Sequence, residues 1–339
     1  MKVLVTGGAG FIGLNFIKQL LKKGIHIVNL DFLTYAANVE QLEQLNSFKN
    51  YTFVQGDIRD KEFLQQIFSE YDIRSVFHFA AESHVDNSII GPEVFIETNI
   101  KGTFYLLEAA RKHWMELPFK YKKDYDKCRF LHVSTDEVYG SLGVDGFFSE
   151  ESRYAPNSPY SASKASSDMI VRSYHHTYGM NTVITNCSNN FGLYQNEEKF
   201  IPTVIRAAIN HQQIPIYGNG GNVRDWLFVE EHCQALEVVF ERAKAGSQYS
   251  IGGNNEKSNI QLAEEICSIL DQIRPSTKLS SYKELITFVQ DRHGHDQRYA
   301  INASKMKRDF GWEPSDKFEE NLLKTINWYI NKYGFKTLK

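Results

Sequence analysis

The chain has 339 residues, with 38 Lys and Arg against 41 Asp and Glu, a net charge of −3, and 42% hydrophobic residues. That balance excludes a disordered chain, which is poorer in apolar residues, and argues against a nucleic-acid binder, which needs a basic surface. The length suits one large domain or two interlocked ones around a substantial core, and no apolar run approaches the ~18 residues of a membrane-spanning helix.

Residues 3–6 form a short apolar run and predict a strand. Residues 11–23 predict a helix, because Phe11, Ile12, Phe16, Ile17, Leu20 and Leu21 recur at helical spacing. Strands are expected next at 25–31, 51–55, 75–79, 129–133 and 181–186, with helices at 61–71, 93–114 and 159–178 between them. Short apolar strands alternating with longer helices predict an α/β fold, a Rossmann-type doubly wound parallel sheet with helices on both faces. The basic stretch 120–123 is flanked by Asp124 and Asp126 and reads as a solvated loop. Beyond residue 186 the pattern loosens. Residues 189–221 are rich in Asn, Gly and polar side chains around a helix near 199–210. A helix at 230–244, a strand at Tyr249-Ser250-Ile251 and helices at 259–272 and 318–333 complete the reading, which implies a smaller mixed α/β C-terminal substrate lobe.

Cys128, Cys187, Cys233 and Cys267 are scattered without a C-x-x-C pair, so reduced thiols are expected and no metal site. Glycines interrupt the N-terminal apolar stretch MKVLVTGGAG at once, which does not suit a signal peptide, and a cytoplasmic location is expected.

Chemistry first shows in the turn Thr6-Gly7-Gly8-Ala9-Gly10-Phe11-Ile12-Gly13 between the first strand and the first helix. Glycine at 7, 10 and 13 allows a sharp turn, backbone approach to a pyrophosphate, and close packing of helix on strand. The helix N-terminus offers free N–H groups and positive dipole to phosphate. Asp31, at the end of the next strand, suits the adenosine ribose hydroxyls and repels a 2′-phosphate, which favours NAD over NADP. Asp57-Ile58 could flank the adenine, although a plain strand-end cap would read the same way.

Ser158-Pro159 predicts an N-cap followed by proline at the first helical position, and Tyr160 and Lys164 then stand one turn apart on one face. An adjacent ammonium favours a phenolate, and such a tyrosine can take a proton from a sugar hydroxyl. Ser134-Thr135-Asp136-Glu137 follows an apolar strand, at the sheet edge where ligands bind in open α/β folds. Each of these patterns alone reads equally as structure: a helix face, or an N-cap with acids in the first turn. Together they point to one site.

Further matching stretches are Ala80-Ala81-Glu82-Ser83-His84-Val85-Asp86, Asn186-Cys187-Ser188-Asn189-Asn190, Arg224-Asp225-Trp226 and Ile251-Gly252-Gly253-Asn254-Asn255-Glu256. With these the chain resembles the extended short-chain dehydrogenase/reductases, from residue 1 to about 333. Within them it is similar to the nucleotide-sugar 4,6-dehydratases that act on dTDP-glucose in deoxysugar biosynthesis, the route to rhamnose and cell-surface polysaccharide. The Thr-Asp-Glu triplet is the specific part, since the related 4-epimerases lack that acid/base pair.

The resemblance implies that Tyr160, helped by Thr135 and Lys164, deprotonates the sugar C4 hydroxyl while C4 is oxidised by NAD. Glu137 would then remove the C5 proton, and Asp136 would protonate the departing C6 hydroxyl. It further implies cofactor positions at Gly7, Gly10, Phe11, Ile12, Gly13, Asp31, Phe32, Leu33, Thr34, Asp57, Ile58, Phe79, Ala80, Ala81, Ser83, Thr98, Tyr160, Lys164 and Asn190. The implied substrate positions are Ser83, Thr135, Asn189, Lys199, Phe200, Pro215, Ile216, Tyr217, Arg224, Asn259, Asp291, Arg292, His293, Gly294 and His295. Lys199, Arg224 and Arg292 also suit a diphosphate on charge alone. The implied division is a dinucleotide domain at 1–186 plus about 222–252 and a sugar-nucleotide domain at about 187–221 plus 253–339, in a homodimer. The chain departs from the usual pattern at Asn87, Leu193, Asn196-Glu197 and His293, which leaves the nucleotide and sugar open. Alternatives are a UDP-, CDP- or GDP-hexose dehydratase, a sugar-nucleotide 4-epimerase, or a silent NAD-binding scaffold.

Overall fold

The computed structural model describes residues 2–291 and 294–334. The strands in chain order are β1 (Lys2–Thr6), β2 (His26–Asp31), β3 (Tyr51–Gln55), β4 (Ile73–His78), β5 (Met115–Leu117), β6 (Lys120–Tyr121), β7 (Arg129–Thr135) and β8 (Thr182–Cys187). They continue with β9 (Asn189–Phe191), β10 (Ile214–Tyr217), β11 (Val223–Phe228), β12 (Gln248–Ile251), β13 (Glu256–Ser258) and β14 (Ile286–Val289). The helices are α1 (Phe11–Lys22), α2 (Val39–Leu45), α3 (Lys61–Tyr71), α4 (Val85–Ile90), α5 (Glu93–Phe95) and α6 (Thr103–Trp114). They end with α7 (Pro159–Tyr178), α8 (Phe200–Ile209), α9 (Val229–Arg242), α10 (Asn259–Ile273), α11 (Ser304–Phe310) and α12 (Phe318–Gly334).

Seven strands form one parallel sheet in the order β12-β8-β7-β4-β1-β2-β3. The alternation of β1 explains how both faces are filled. Val3 and Val5 join one core with residues of α1 and α9, while Leu4 joins the opposite core with residues of α3 and α6. Each fully buried aliphatic side chain contributes roughly 1.5–3 kcal/mol. The strand order reverses beside β1, because the chain goes outward to β2 and β3 and then returns to β4 on the other side. A crevice at the C-terminal ends of β1 and β4 follows from that reversal.

The smaller lobe has its own core, including Ile201, Ile205, Leu262, Ile266, Leu322 and Tyr329 from α8, α10 and α12. Beside that core lie a three-stranded sheet, β13-β11-β9, and a parallel pair, β10-β14. The strand expected at 249–251 closes the edge of the large sheet as β12, and α11 places Met306 in the core of that same sheet.

Two expectations need correction. Residues 120–123 are not simply a loop, since Lys120–Tyr121 pairs antiparallel with Met115–Leu117. The helix expected at 93–114 is interrupted by a wider π-helical turn at Ile96–Gly102. Its cause lies at buried Asn99, whose side chain turns away to bond the Glu82 backbone at 2.8 and 3.0 Å and Ser163 Oγ at 2.9 Å. Such widened turns recur where a helix serves a site. The helix α2, the short α4 and α11 were not legible at all in the hydrophobic spacing.

Candidate active site

The floor of the site is the glycine turn. Gly7 has φ +71, and a Cβ there would stand 2.6 Å from the Ala80 backbone nitrogen on the neighbouring strand end. A Cβ on Gly13 would stand 2.4 Å from the Gly7 carbonyl oxygen. Helix α1 therefore lies hard against β1 and β4. Its N-cap is Gly10, which has no side chain to satisfy the first N–H groups, and its first turn carries no acid. Those donors and the positive helix end are left to face the crevice. Replacing Gly7 by Ala combines an unfavourable φ with a backbone clash; a stability loss of about 2–4 kcal/mol is expected, measurable by urea unfolding.

Asp31 closes β2 with Oδ2 accepting from the Ala9 N–H and Oδ1 from the Leu33 N–H, each at 2.8 Å. Burial pushes its pKa up, and the Leu33 and Ala9 N–H groups oppose that.

A cavity of about 420 Å³ opens above this floor. It takes in the three turn glycines, Phe11 and Ile12, then Asp31, Phe32 and Thr34, and Asp57 with Ile58. From β4 and beyond come Phe79, Ala80, Ala81 and Ser83, with Thr98 from the π-helical turn. The same cavity reaches Thr135, Asp136, Glu137, Tyr160 and Lys164, and its far wall is Asn189, Asn190 and Lys199. Polar oxygens remain unused inside it: Asp136 Oδ2 and Asn189 Oδ1 are buried with no hydrogen-bond partner among the described residues. A floor of free N–H groups, a carboxylate at the end of β2 and a long cleft fit a dinucleotide with a polar second ligand.

Two elements bring the reactive corner together. Strand β7 ends in a 3-10 turn, Asp136–Tyr139, capped by Thr135, whose Oγ1 accepts from the Glu137 N–H at 3.3 Å. Helix α7 starts with the expected cap. Ser158 Oγ accepts from the Ser161 N–H at 3.1 Å, Ser161 Oγ accepts from the Ser158 N–H at 3.0 Å, and Pro159 holds the first helical position. That start brings the Tyr160 phenol into the cavity wall that Thr135 also lines. Lys164 is buried and donates to the Val133 carbonyl at 2.9 Å.

Other expected positions lie elsewhere. Leu33 is in the left-handed region with φ +60 and supplies its N–H to Asp31, while its side chain packs on the large core. Ile216 is fully buried in the smaller lobe because β10 alternates inward and outward, so its side chain does not face the cavity. Phe200 packs on that same core. Arg224 does not present its guanidinium to the cavity. Its Nη1 donates to the Val223 carbonyl at 2.8 Å and its Nη2 to the Asp296 carbonyl at 2.9 Å, over the Tyr299 ring. Tyr217, Asp291 and His295 form a separate group at the ends of β10 and β14, with His295 Nδ1 2.6 Å from Asp291 Oδ1 and the Tyr217 and His295 rings 6.2 Å apart. Exposed Pro215 lies on the same strand, Gly294 has φ +67, and Asn259 begins α10. Arg292 and His293 lie outside the described residues.

The cavity also includes residues that the sequence reading missed, among them Arg59, Glu82, Ser134, Cys187, Gln195 and Glu198. Glu82 and Cys187 stood inside stretches already singled out. Arg59 and Glu198 carried no signal, because a charge after a strand or before a helix ordinarily reads as solvated surface.

Residues 4–325 match the family described as GDP-mannose 4,6 dehydratase. The chain belongs to this dehydratase family. It is 51% identical over 327 residues to a dTDP-glucose 4,6-dehydratase of Xanthomonas campestris pv. campestris, covering 96% of this chain and 92% of that one. The crystal structure of dTDP-glucose 4,6-dehydratase from Bacillus anthracis in complex with NAD superimposes with a TM-score of 0.86 at 42% identity, covering 100% of both chains. That of the Streptomyces venezuelae enzyme with NAD bound gives 0.88 at 40% identity, covering 99% of this chain and 98% of that one.

In this dehydratase the Asp136 carboxyl is strongly perturbed. Burial first, then the neighbouring Glu137 and Asp225 carboxylates, push Asp136 well above the usual carboxylate range. The Tyr160 phenol is also pushed up, by burial and then by Glu137. The sequence reading expected Lys164 to lower it; in the folded chain burial dominates. Cys187, in the same wall, is pushed up to about 12 by burial and is not a ready nucleophile.

A raised Asp136 has a cost. Unfolded, the carboxyl ionises near ~3.9; folded, it keeps its proton to higher pH. Its contribution is therefore intact below the unfolded value and is lost as pH rises through the folded one. Asp136→Asn removes that penalty, and the thermal midpoint at neutral pH is expected to rise by roughly 1–3 °C. The gain should vanish near pH ~3, which calorimetry at the two pH values would test.

Proposed function

We propose that the chain converts dTDP-glucose to the 4-keto-6-deoxy sugar nucleotide with NAD as its recycled cofactor. The observation that carries this reading is the meeting of Asp136 and Glu137 with Tyr160 and Lys164 in one cavity. An epimerase has no use for an acid and a base beside C5 and C6. When bound, NAD supplies a cationic ring that accepts hydride from the sugar and later returns it.

Tyr160 takes the C4 hydroxyl proton, with Thr135 and Lys164 lining the same cavity to assist it. The ketone formed at C4 makes the C5 proton acidic, and Glu137 is placed to remove it. Asp136, its carboxyl pushed up by burial, gives its proton to the C6 oxygen, and water leaves. Ser83, Asn189 and Lys199 form the polar wall that orients the sugar nucleotide. The dinucleotide domain comprises 1–186 plus about 222–252, and the remainder forms the sugar-nucleotide domain.

The protein is further proposed to work in the cytoplasm as a homodimer. Among the described residues no helix is long and apolar enough to cross a membrane. Ile90 on α4, Ile96 in the π-helical turn, Phe104 on α6 and Met169 on α7 are exposed apolar side chains that a second subunit would cover. Solution mass by light scattering tests the dimer.

The activity test is direct. Purified protein is incubated with dTDP-glucose and assayed for the alkali-induced ultraviolet absorbance of a 4-keto-6-deoxy sugar. Formation of dTDP-galactose instead would mean an epimerase, and no product at all would mean a scaffold. UDP-, CDP- and GDP-glucose in the same assay rank the nucleotide.

A further inference from the structure

Helix α7 carries a second buried charge one turn beyond Lys164. Asp168 is fully buried, yet nothing in the proposed chemistry uses it. Its Oδ2 accepts from Ser134 Oγ at 2.9 Å, Tyr154 OH at 2.8 Å and Asn186 Nδ2 at 3.2 Å. Asn186 Nδ2 also donates to the Thr135 carbonyl at 3.1 Å. The end of β7 is thus held from both sides of one helix turn. Lys164 grips Val133, and Asp168 grips Ser134 directly and Thr135 through Asn186.

A buried carboxylate also needs a counter-charge. His132 Nε2 is 3.2 Å from Asp168 Oδ1, but burial and then Lys164 push that imidazole down to about 4, so it is neutral at neutral pH. His78, whose ring centroid is 5.2 Å from that of His132, is held well below its ordinary value for the same first reason, burial. The remaining groups around the pair are acids: Tyr160 on α7, Asp136 and Glu137 on the 3-10 turn, Cys187 on β8, and Tyr139 and Tyr154 against Asp168. Lys164, one turn earlier on the same helix, is the cation among these groups. Burial alone pulls the Lys164 ammonium down, and Asp168 is the largest influence holding it up.

We propose that Asp168 is a positioning residue of the active site, a buried carboxylate one turn beyond Lys164 that bolts the Thr135-Asp136-Glu137 corner to the helix bearing Tyr160 and Lys164. The inference rests on the dehydratase reading for its kinetic half, whereas the charge of Lys164 can be read without substrate.

The test is Asp168→Asn in the full chain, which keeps the shape and removes the charge. Turnover with dTDP-glucose is expected to fall about 10–100-fold with KM within about threefold, because a small misplacement near the chemistry is costly while distant binding contacts persist. The alkaline limb of the rate profile is expected to move to lower pH by about one unit as Lys164 gives up its proton earlier. Lysine labelled at Cε, with the Lys164 signal identified by its loss in Lys164→Met, should titrate lower in Asp168→Asn by NMR. Wild-type lysine titration together with a wild-type rate profile would overturn the proposal. Should Asp168→Asn fail to fold, Ser134→Ala decides. It keeps the charge and removes one bolt, so a roughly 3–10-fold loss in kcat at constant KM supports the proposal, and unchanged kcat overturns it.

Discussion

Tyr160→Phe is expected to lower turnover with dTDP-glucose by about 10²–10⁴-fold, the range set by removing a general base. The substitution deletes one oxygen from a side chain that is buried at the start of a well-capped helix, so the helix keeps its start and its packing. Stability should change by no more than about 1 kcal/mol, the worth of one side-chain hydrogen bond. KM should stay within a few-fold, since the substrate is held mainly by groups other than the phenol. The wild-type protein carries a further signature. Burial and Glu137 keep the phenol protonated beyond its ordinary range, so the reactive phenolate grows with pH. The rate should therefore climb on the acid side of its profile and lose that slope in Tyr160→Phe. Equal turnover in the two proteins would remove Tyr160 from the chemistry.

Glu137→Gln is expected to divide the reaction. C4 oxidation needs Tyr160 and Lys164, which this change leaves in place, so the near-ultraviolet absorbance of reduced nicotinamide should develop on the protein. Removal of the C5 proton needs the carboxylate, so product formation should drop by about 10²–10⁴-fold. Asp136→Asn should also stop water loss, yet it differs in stability, because Asp136 is buried with one oxygen unpartnered. Glu137 must stay ionised to act as a base, and its charge is one of the causes that raise the Asp136 carboxyl. Full turnover in Glu137→Gln would reassign the base.

Several parts of this design were readable before any coordinates. Glycine at 7 and 13 was required by local geometry, and the structure places both where a Cβ would meet backbone. The cap at Ser158-Pro159, the one-turn spacing of Tyr160 and Lys164, and an acid at the end of β2 are all short-range features, fixed within a few residues of chain. The alternating strands and helices likewise announced a parallel sheet, because buried strands are apolar throughout while their covering helices repeat at helical spacing.

What lay farther apart in the chain was decided by folding. Arg224 looked like a phosphate ligand from its charge, but the meeting of β11 with residues 296–297 gives its guanidinium the Asp296 and Gln297 carbonyls as acceptors. Ile216 sits one register position from the exposed face of β10, and a strand turns every second side chain away. The π-helical turn depends on Asn99 finding Glu82 and Ser163, partners 17 and 64 residues distant. Sequence by itself thus determined the dinucleotide turn, the helix caps and the identity of the reactive groups, since each rests on local backbone sterics and side-chain chemistry. Only the tertiary structure determined that β7 and α7 converge on one cavity, and that the Asp136 carboxyl is raised there, since burial and charge proximity belong to the packed chain and to no segment of it.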